Sequence, residues 1–282
     1  LKWVGNKHRF ADEIISAMPE KINTYYEPFL GSGAVLGTLL NQTKNTLVPA
    51  TTIEKAVASD IMTPLIGVFQ YAKNDPQTLI NHYESCIDNY NDDRSEKYLE
   101  IRDRFNQNKS PLDFAVLTRT CYSGIIRFRK SDGYMSTPIG PHNPIAPESF
   151  SDRVLIWHEL IKDVTFLNAD FRETMRMANE GDLVYCDPPY THSQTILYGA
   201  QGFNIEDLWV SIAECKQRGV KVILSINGKK KSHTEDIGVA IPAGLFEREQ
   251  YVDCGISMIN RLQRVGETMI NESVHDKLLL TW

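Results

Sequence analysis

The feature that most constrains the fold is an alternation of strand-like and helix-like runs, broken in the middle of the chain by a long helical stretch. Ahead of the break, "INTYYEPF" reads as a strand, "LGSG" as a tight glycine turn, "AVLGTLLNQ" as a helix, and residues 56–59 as a strand ending at Asp60. Behind it, "DVTFLNA", "DLVYC" and "VKVILSIN" read as apolar strands, with the helix-like "IEDLWVSIAECKQRG" between the last two. "LFEREQYVD" and "DKLLLTW" read as closing strands. Over residues 65–122 helical patterns dominate, with charged faces such as "NYNDDRSEKYLEIRDRF". A helical crossover returns the chain to the end of the sheet where it started, so strands joined by helices pair mostly in parallel. The expectation is an α/β fold whose sheet is interrupted in sequence: a discontinuous domain of residues 1–62 and 164–282, and an inserted domain of residues 63–163. Apolar spacing at Phe10, Ile14, Ile15 and Met18 predicts a first helix over about residues 5–18. A proline- and glycine-rich passage, "DGYMSTPIGPHNPIAPESF", precedes the return of the strands.

Composition narrows the function classes. A formal net charge of -6 over 282 residues argues against coating nucleic acid by bulk electrostatics, so any nucleic-acid role has to be local. The five cysteines, Cys86, Cys121, Cys186, Cys215 and Cys254, are odd in number and scattered, which fits a reduced, cytoplasmic protein. The seven histidines show no ligand spacing, and no metal site is expected. No apolar run approaches about 18 residues, so no membrane partner is expected. A chain beginning at Leu1 is expected to lack a residue or more upstream.

Candidate chemistry lies at strand ends. Leu183, Val184 and Tyr185 have strand character, and Pro188 and Pro189 cannot continue a hydrogen-bond ladder, so the strand stops at Asp187. Ligands bind at the carboxyl ends of strands in α/β sheets, which aims Asp187 and Tyr190 into a site. "DPPY" by itself also reads as a plain turn. "EPFLGSG" lies where a first strand turns into a helix, and its glycines let the backbone approach a ligand. It departs from GxGxxG because Gly37 lies one position too far on, and it lacks the Lys and Ser/Thr of a phosphate-binding loop. A glycine turn made for packing and a ligand loop both remain open. Asp60, at the next strand end, is placed to hold ribose hydroxyls of NAD or another adenosine compound, or is a solvated strand end.

Together these segments resemble the S-adenosylmethionine-dependent DNA adenine-N6 methyltransferases of the Dam-like group, the D12 class. "LKWVGNK" is similar to the family's LKWxGxK motif, "EPFLGSG" to its FxGxG loop, and "SD" at Ser59 and Asp60 to its ribose-binding motif. "ADF" at residues 169–171 precedes the catalytic "DPPY", and "RTCYSGIIRFR" resembles the RxxYNGxxR segment of the target-recognition domain. The resemblance implies a Rossmann-like seven-stranded methyltransferase sheet with a final antiparallel hairpin and a helical target-recognition insertion. It implies that Trp3, Gly5 and Lys7 line the pocket for S-adenosyl-L-methionine, and that Glu27, Pro28, Phe29, Gly31, Ser32 and Gly33 hold the methionine end. Asp60 would take the ribose, and Asp170 with Phe171 the cofactor's adenine.

Adenine N6 is a poor nucleophile because its lone pair is delocalised into the ring. Two acceptors for the amino hydrogens, the Asp187 carboxylate and the Pro188 carbonyl, would favour a more tetrahedral nitrogen, Pro189 would stiffen the loop, and Tyr190 would stack on the base. The cofactor's sulfonium supplies an activated methyl for in-line transfer. The target must be flipped out of double-stranded DNA, and Tyr122, matching the family's intercalating aromatic, is the candidate to fill the gap, though a tyrosine after "LDFAVLTRTC" also reads as core. Arg119, Ser123, Arg127, Arg129 and Lys130 are the candidate DNA contacts, the four cations followed closely by Asp132. "GKKK" at 228–231 reads as a second phosphate contact or a charged surface loop.

Asn6 replaces a glycine common in the N-terminal motif, Ser123 stands where the family carries asparagine, and "TPIGPHN" lacks the family's arginine. A GATC target therefore does not follow. Cytosine-C5 chemistry needs a Pro-Cys nucleophile that the sequence lacks. N4-cytosine enzymes carry serine in place of Asp187, and RNA-adenine enzymes more often asparagine. A non-catalytic DNA-binding module would have no need of "DPPY" and "GSG". A site-specific enzyme acting as a monomer, with or without a cognate restriction endonuclease, is the expectation.

Overall fold

The computed structural model describes residues 2–3, 5–88, 90, 92–189, 202–230, 240–256 and 273–282. Seven strands form one sheet: β1 (Lys21–Glu27), β2 (Thr52–Asp60), β3 (Val164–Asn168), β4 (Leu183–Cys186), β5 (Lys221–Lys230), β6 (Arg248–Ile256) and β7 (Ser273–Leu280). Their order is β3-β2-β1-β4-β5-β7-β6. The first five strands pair in parallel, whereas β7 runs antiparallel between β5 and β6. This is the expected Rossmann-like seven-stranded sheet with an antiparallel hairpin at one edge.

Side-chain alternation along the strands builds two cores. Tyr25, Ala56, Ala58, Leu183, Tyr185 and Ile223 face one layer, and Tyr26, Val57, Val184, Cys186, Val222 and Leu224 the other. All of β4 is buried, as a central parallel strand covered on both faces must be. The first layer is built by α1 (Ala11–Ser16), α2 (Ala34–Asn45), α3 (Thr63–Asn74), α4 (Pro76–Ile87), α5 (Arg94–Asn108), α6 (Pro111–Thr120) and α7 (Pro147–Leu160), the second by α8 (Phe171–Arg176) and α9 (Ile205–Gln217). α3 packs on β2 and β3, and α7 on α2, α3 and α4, so the helical middle shares its core with the sheet.

Four of the helices over residues 63–160 begin with proline in their first turn, where the missing N–H has no partner to lose. That device explains α7, which starts inside the proline-rich passage: Pro147 starts a helix there and does not break one. The first helix is shorter than its apolar spacing predicts. Gly5 has φ +81°, outside the helical region, and residues 7–10 turn, which leaves α1 only Ala11–Ser16. Between α6 and α7 the chain is mostly irregular, tied by antiparallel bridges at Cys121–Ile139 and Phe128–Met135.

Candidate active site

The sheet order reverses between β1 and β4, because from β1 the chain moves outward through β2 to β3 and then returns to add β4 on the other side. Loops leaving neighbouring strands at such a point diverge and open a crevice. Glu27 ends β1, the loop after it carries Pro28 to Gly33, and the loop after β4 carries Asp187 to Pro189. Asp60 ends β2, and Asp170 follows β3.

Asp60 organises the glycine loop. Gly31 donates its backbone N–H to Asp60 Oδ2 at 3.1 Å, Met62 donates to Oδ1 at 3.0 Å, and Leu30 N–H bonds to Ser59 O at 2.9 Å. Burial nevertheless pushes the Asp60 carboxyl above its usual value. Each oxygen keeps acceptor capacity, so the group still suits a hydroxyl-bearing ligand. Gly31 has φ +49°, and a Cβ there would lie 3.1 Å from Trp3 Nε1, so the loop needs glycine for both conformation and space. Gly37 has a different reason: a Cβ there would sit 2.9 Å from the Trp157 ring of α7. The spacing that breaks GxGxxG is thus a helix-packing contact.

Glu27 is 3% exposed and accepts a 2.7 Å bond from Tyr25 Oη. Burial pushes its carboxyl up to about 8, with the Asp187 charge adding to the rise and the Tyr25 bond opposing it. Lys7, 5% exposed, turns into the same space and places Nζ 3.2 Å from Asp187 Oδ1. A buried ammonium requires such an anion, so the pair ties the N-terminal segment to the end of β4. Asp170 caps α8 through Arg172 N–H at 2.9 Å and accepts from Arg172 Nε at 2.7 Å and Nη2 at 3.1 Å. Burial alone would raise its carboxyl, but the Arg172 bonds hold it below the usual range. Phe29 stacks on Phe171 at 5.2 Å, and Phe203 closes on both at 5.8 Å.

These groups surround a cavity of about 360 Å³. Trp3, Gly5, Lys7, Glu27, Pro28, Phe29, Gly31, Ser32, Asp60, Asp170 and Phe171 line it, together with Asp187, Pro188 and Pro189. Gly33 is not in the lining; it caps α2 in a left-handed conformation, 3.0 Å from Trp157 by its would-be Cβ. Tyr190 and Lys231 lie outside the described residues, as do the side chains of Lys229 and Lys230. Phe203, Arg172, Ile61 and Tyr185 also line the cavity. The sequence reading did not pick them out; Phe203, an aromatic just before the helix cap Asn204, offered only a packing signal.

The candidate DNA residues form a separate region, 119–137. Tyr122 is 42% exposed and so is not a core residue. Its N–H bonds to Pro138 O at 2.9 Å, and Ser123 beside it holds φ +56°. Arg127 and Lys130 are exposed, and among the described residues no ion pair engages either. Arg129 is paired with Asp132 at 2.6 Å and lies over Tyr134. Arg119 is half-buried on α6, its Nε without a hydrogen-bond partner and its guanidinium crowded by Arg153.

Comparison with known proteins gives a consistent result. The family model described as D12 class N6 adenine-specific DNA methyltransferase matches residues 3–248. A DNA adenine methylase of Vibrio cholerae is 31% identical over 238 residues, covering 80% of this chain and 79% of its own. The type II methyltransferase M.MjaIII of Methanocaldococcus jannaschii is 31% identical over 249 residues, covering 80% and 82%. The type II methyltransferase M1.LlaDCHI of Lactococcus lactis subsp. cremoris is 29% identical over 247 residues, covering 79% of each.

Proposed function

The chain belongs to the D12 class of N6 adenine-specific DNA methyltransferases, and from that premise we propose how its residues divide the work. The carrying observation is the Lys7–Asp187 pair in the lining of the cavity that the glycine loop and the β4 loop share. It keeps a carboxylate acceptor at the reaction centre, with Pro188 rigid beside it.

S-adenosyl-L-methionine fits the lining. Phe29, Phe171 and Phe203 form an apolar aromatic corner suited to a purine, Asp60 offers a carboxylate for ribose hydroxyls, and the Gly31 backbone leaves room that a side chain would fill. When bound, this cofactor supplies a methyl group already activated by positive sulfur. Glu27 would hold the methionine end: beside a ligand ammonium its carboxyl would be favoured as carboxylate, its proton passing to solvent. Asp187 and the Pro188 carbonyl accept hydrogen bonds from the target amino group, which turns the N6 lone pair toward the methyl carbon; positioning and electrostatics carry the acceleration. Tyr190 stacks on the target base.

The target adenine is flipped out of the duplex, at a cost of a few kcal/mol, and Tyr122 occupies the vacated stack. Ser123, Arg127 and Lys130 contact the DNA around that point, Arg129 does so once Asp132 releases it, and Arg119 supports the turn from within. Residues 63–163 are the target-recognition unit. One transfer needs one active site, so the enzyme acts as a monomer in the cytoplasm, with or without an endonuclease of the same site specificity. Among the described residues no helix is long and apolar enough to cross a membrane.

The test is incubation with methyl-labelled S-adenosyl-L-methionine and unmethylated genomic DNA, followed by mapping of modified bases. N6-methyladenine at one short motif is the expected product. Label in cytosine, or in RNA alone, would overturn the assignment of Asp187 and Pro188 as adenine acceptors.

A further inference from the structure

Away from the cavity, four polar side chains meet where α4, α5 and α6 pack together. Asp113 of α6 is 1% exposed, and Arg104 of α5 grips it with Nε at 3.1 and 2.9 Å from its two oxygens and Nη2 at 2.5 Å from Oδ1. His82 of α4 meets the same Oδ1 through Nε2 at 2.8 Å. Cys86, one turn further along α4, places Sγ 3.6 Å from His82 Nε2 and 3.5 Å from Arg104 Nη2. The cluster is therefore two basic side chains bridging one buried carboxylate and the sulfur of a partly buried cysteine.

His82 Nε2, Cys86 Sγ and an Asp113 oxygen lie within 4.8 Å of one another, a separation that metal ligands also adopt. Arg104 Nη2 already touches both Asp113 and Cys86, where a cation would have to sit. The hydrogen bond to Asp113 pushes His82 up to about 9, so at neutral pH its ligating lone pair is held as N–H. A metal would have to displace a guanidinium and a proton together. What the arrangement stabilises directly is negative charge on sulfur. Burial would raise the Cys86 thiol, but His82 and Arg104 outweigh it and hold it below the ordinary value. Cys121, Cys186 and Cys215 are buried, and burial pushes each of those thiols up.

We propose that Cys86 is a modification site, a thiol that reacts through its thiolate form with hydroperoxides and soft alkylating agents. With a hydroperoxide the sulfur lone pair attacks oxygen, an S–O bond forms as O–O breaks, and the His82 imidazolium protonates the departing oxygen. Sulfur is oxidised by two electrons to sulfenic acid, and the peroxide is reduced to water or an alcohol. Thiolate character and access set such reactivity, and Cys86 combines them. The step uses no residue of the cavity and stands whatever the target base of the enzyme.

Iodoacetamide labelling of the folded full chain, read cysteine by cysteine by peptide mass spectrometry, tests the proposal. At neutral pH Cys86 should be alkylated at least about tenfold faster than Cys121, Cys186 and Cys215, with a rate midpoint below the ~8.5 of a free thiol. His82→Gln and Arg104→Met should each move that midpoint upward and slow labelling several-fold at neutral pH. Arg104 is half-exposed, so R104M serves alone if H82Q does not fold. Hydrogen peroxide followed by dimedone should place the dimedone adduct on Cys86. Labelling no faster than at the buried cysteines, or a pH profile unchanged in the variants, overturns the proposal. Stoichiometric protection of Cys86 by zinc alone would also overturn it, in favour of a metal site.

Discussion

The cavity and the Tyr122 region are built on opposite principles. Around the cavity almost every acidic group is already engaged by a partner, near or far in sequence: Asp60 by two backbone N–H groups, Asp170 by Arg172, Glu27 by Tyr25, Asp187 by Lys7. Around Tyr122 the backbone is tied by local pairs such as Arg129 N–H to Tyr134 O and Ser136 N–H to Arg127 O, while Tyr122, Arg127 and Lys130 project outward. Preorganised dipoles cost no reorganisation during chemistry, whereas a surface meeting a deformable duplex gains from side chains that settle on contact. On the proposed roles, the one region would act rigid and the other would be completed by DNA.

Five substitutions press on that contrast. Asp187→Ala should lower kcat by about 10²–10³, roughly 3–4 kcal/mol, while S-adenosyl-L-methionine affinity measured by calorimetry changes little. Turnover near wild type would remove Asp187 from the reaction centre. Glu27→Gln should alter the stability profile of the ligand-free protein. The folded carboxyl titrates at about 8 against an ordinary 4.5, so folding retains a proton that the unfolded chain releases across that interval. Stability should therefore be full below about 4.5 and decline as pH rises to about 8, by on the order of a few kcal/mol. E27Q should flatten that decline in denaturant titrations, and an unchanged slope would place the titration elsewhere.

Tyr122→Ala should weaken binding to a duplex with a paired target adenine by about 2 kcal/mol, and binding to one with a mismatched target much less. Equal losses would make Tyr122 a support for the turn and not a wedge. Gly31→Ala should cost cofactor affinity about 1–2 kcal/mol, from the left-handed backbone and the Trp3 indole, with DNA affinity unchanged. A matching loss in DNA binding would show the two regions to be coupled, by the route where Gly124 packs so near Lys2 that a Cβ there would lie 2.9 Å from the Lys2 carbonyl oxygen. The smallest effect is expected at Ser123, whose φ of +56° suits asparagine better than serine. Ser123→Asn should raise thermal stability by a few tenths of a kcal/mol; a fall would mean that the serine hydroxyl serves the turn.

Much of this was legible in the chain. Seven strand segments were read near their observed places because the inner ones carry short apolar or β-branched runs and the closing pair, "LFEREQYVD" and "DKLLLTW", is rich in aromatic and aliphatic residues; the strand-end carboxylates Asp60 and Asp187 follow from where the inner runs stop. The length of α1, the start of α7 and the short α8 were not legible. A left-handed Gly5, a proline acting as a helix start and a six-residue helix capped by Asp170 are each decided by a single residue's backbone angle or bond. In the site, the glycine loop was found from its motif, but the reason for Gly37 was not, since Trp157 lies far along the chain.

The sequence by itself determined which chemistry the chain can carry: acidic groups at strand ends, a glycine turn before a helix, prolines that stiffen the loop after β4, and cations concentrated near Tyr122. Those are properties of neighbouring residues, set by covalent geometry and local propensity. Only the tertiary structure decided that Lys7 would meet Asp187, that Phe203 would join Phe29 and Phe171, and that Cys86 would lie between His82 and Arg104. Such meetings bring together residues from different elements, or from opposite ends of the chain, and depend on how whole elements pack their buried faces, a quantity that no local pattern contains.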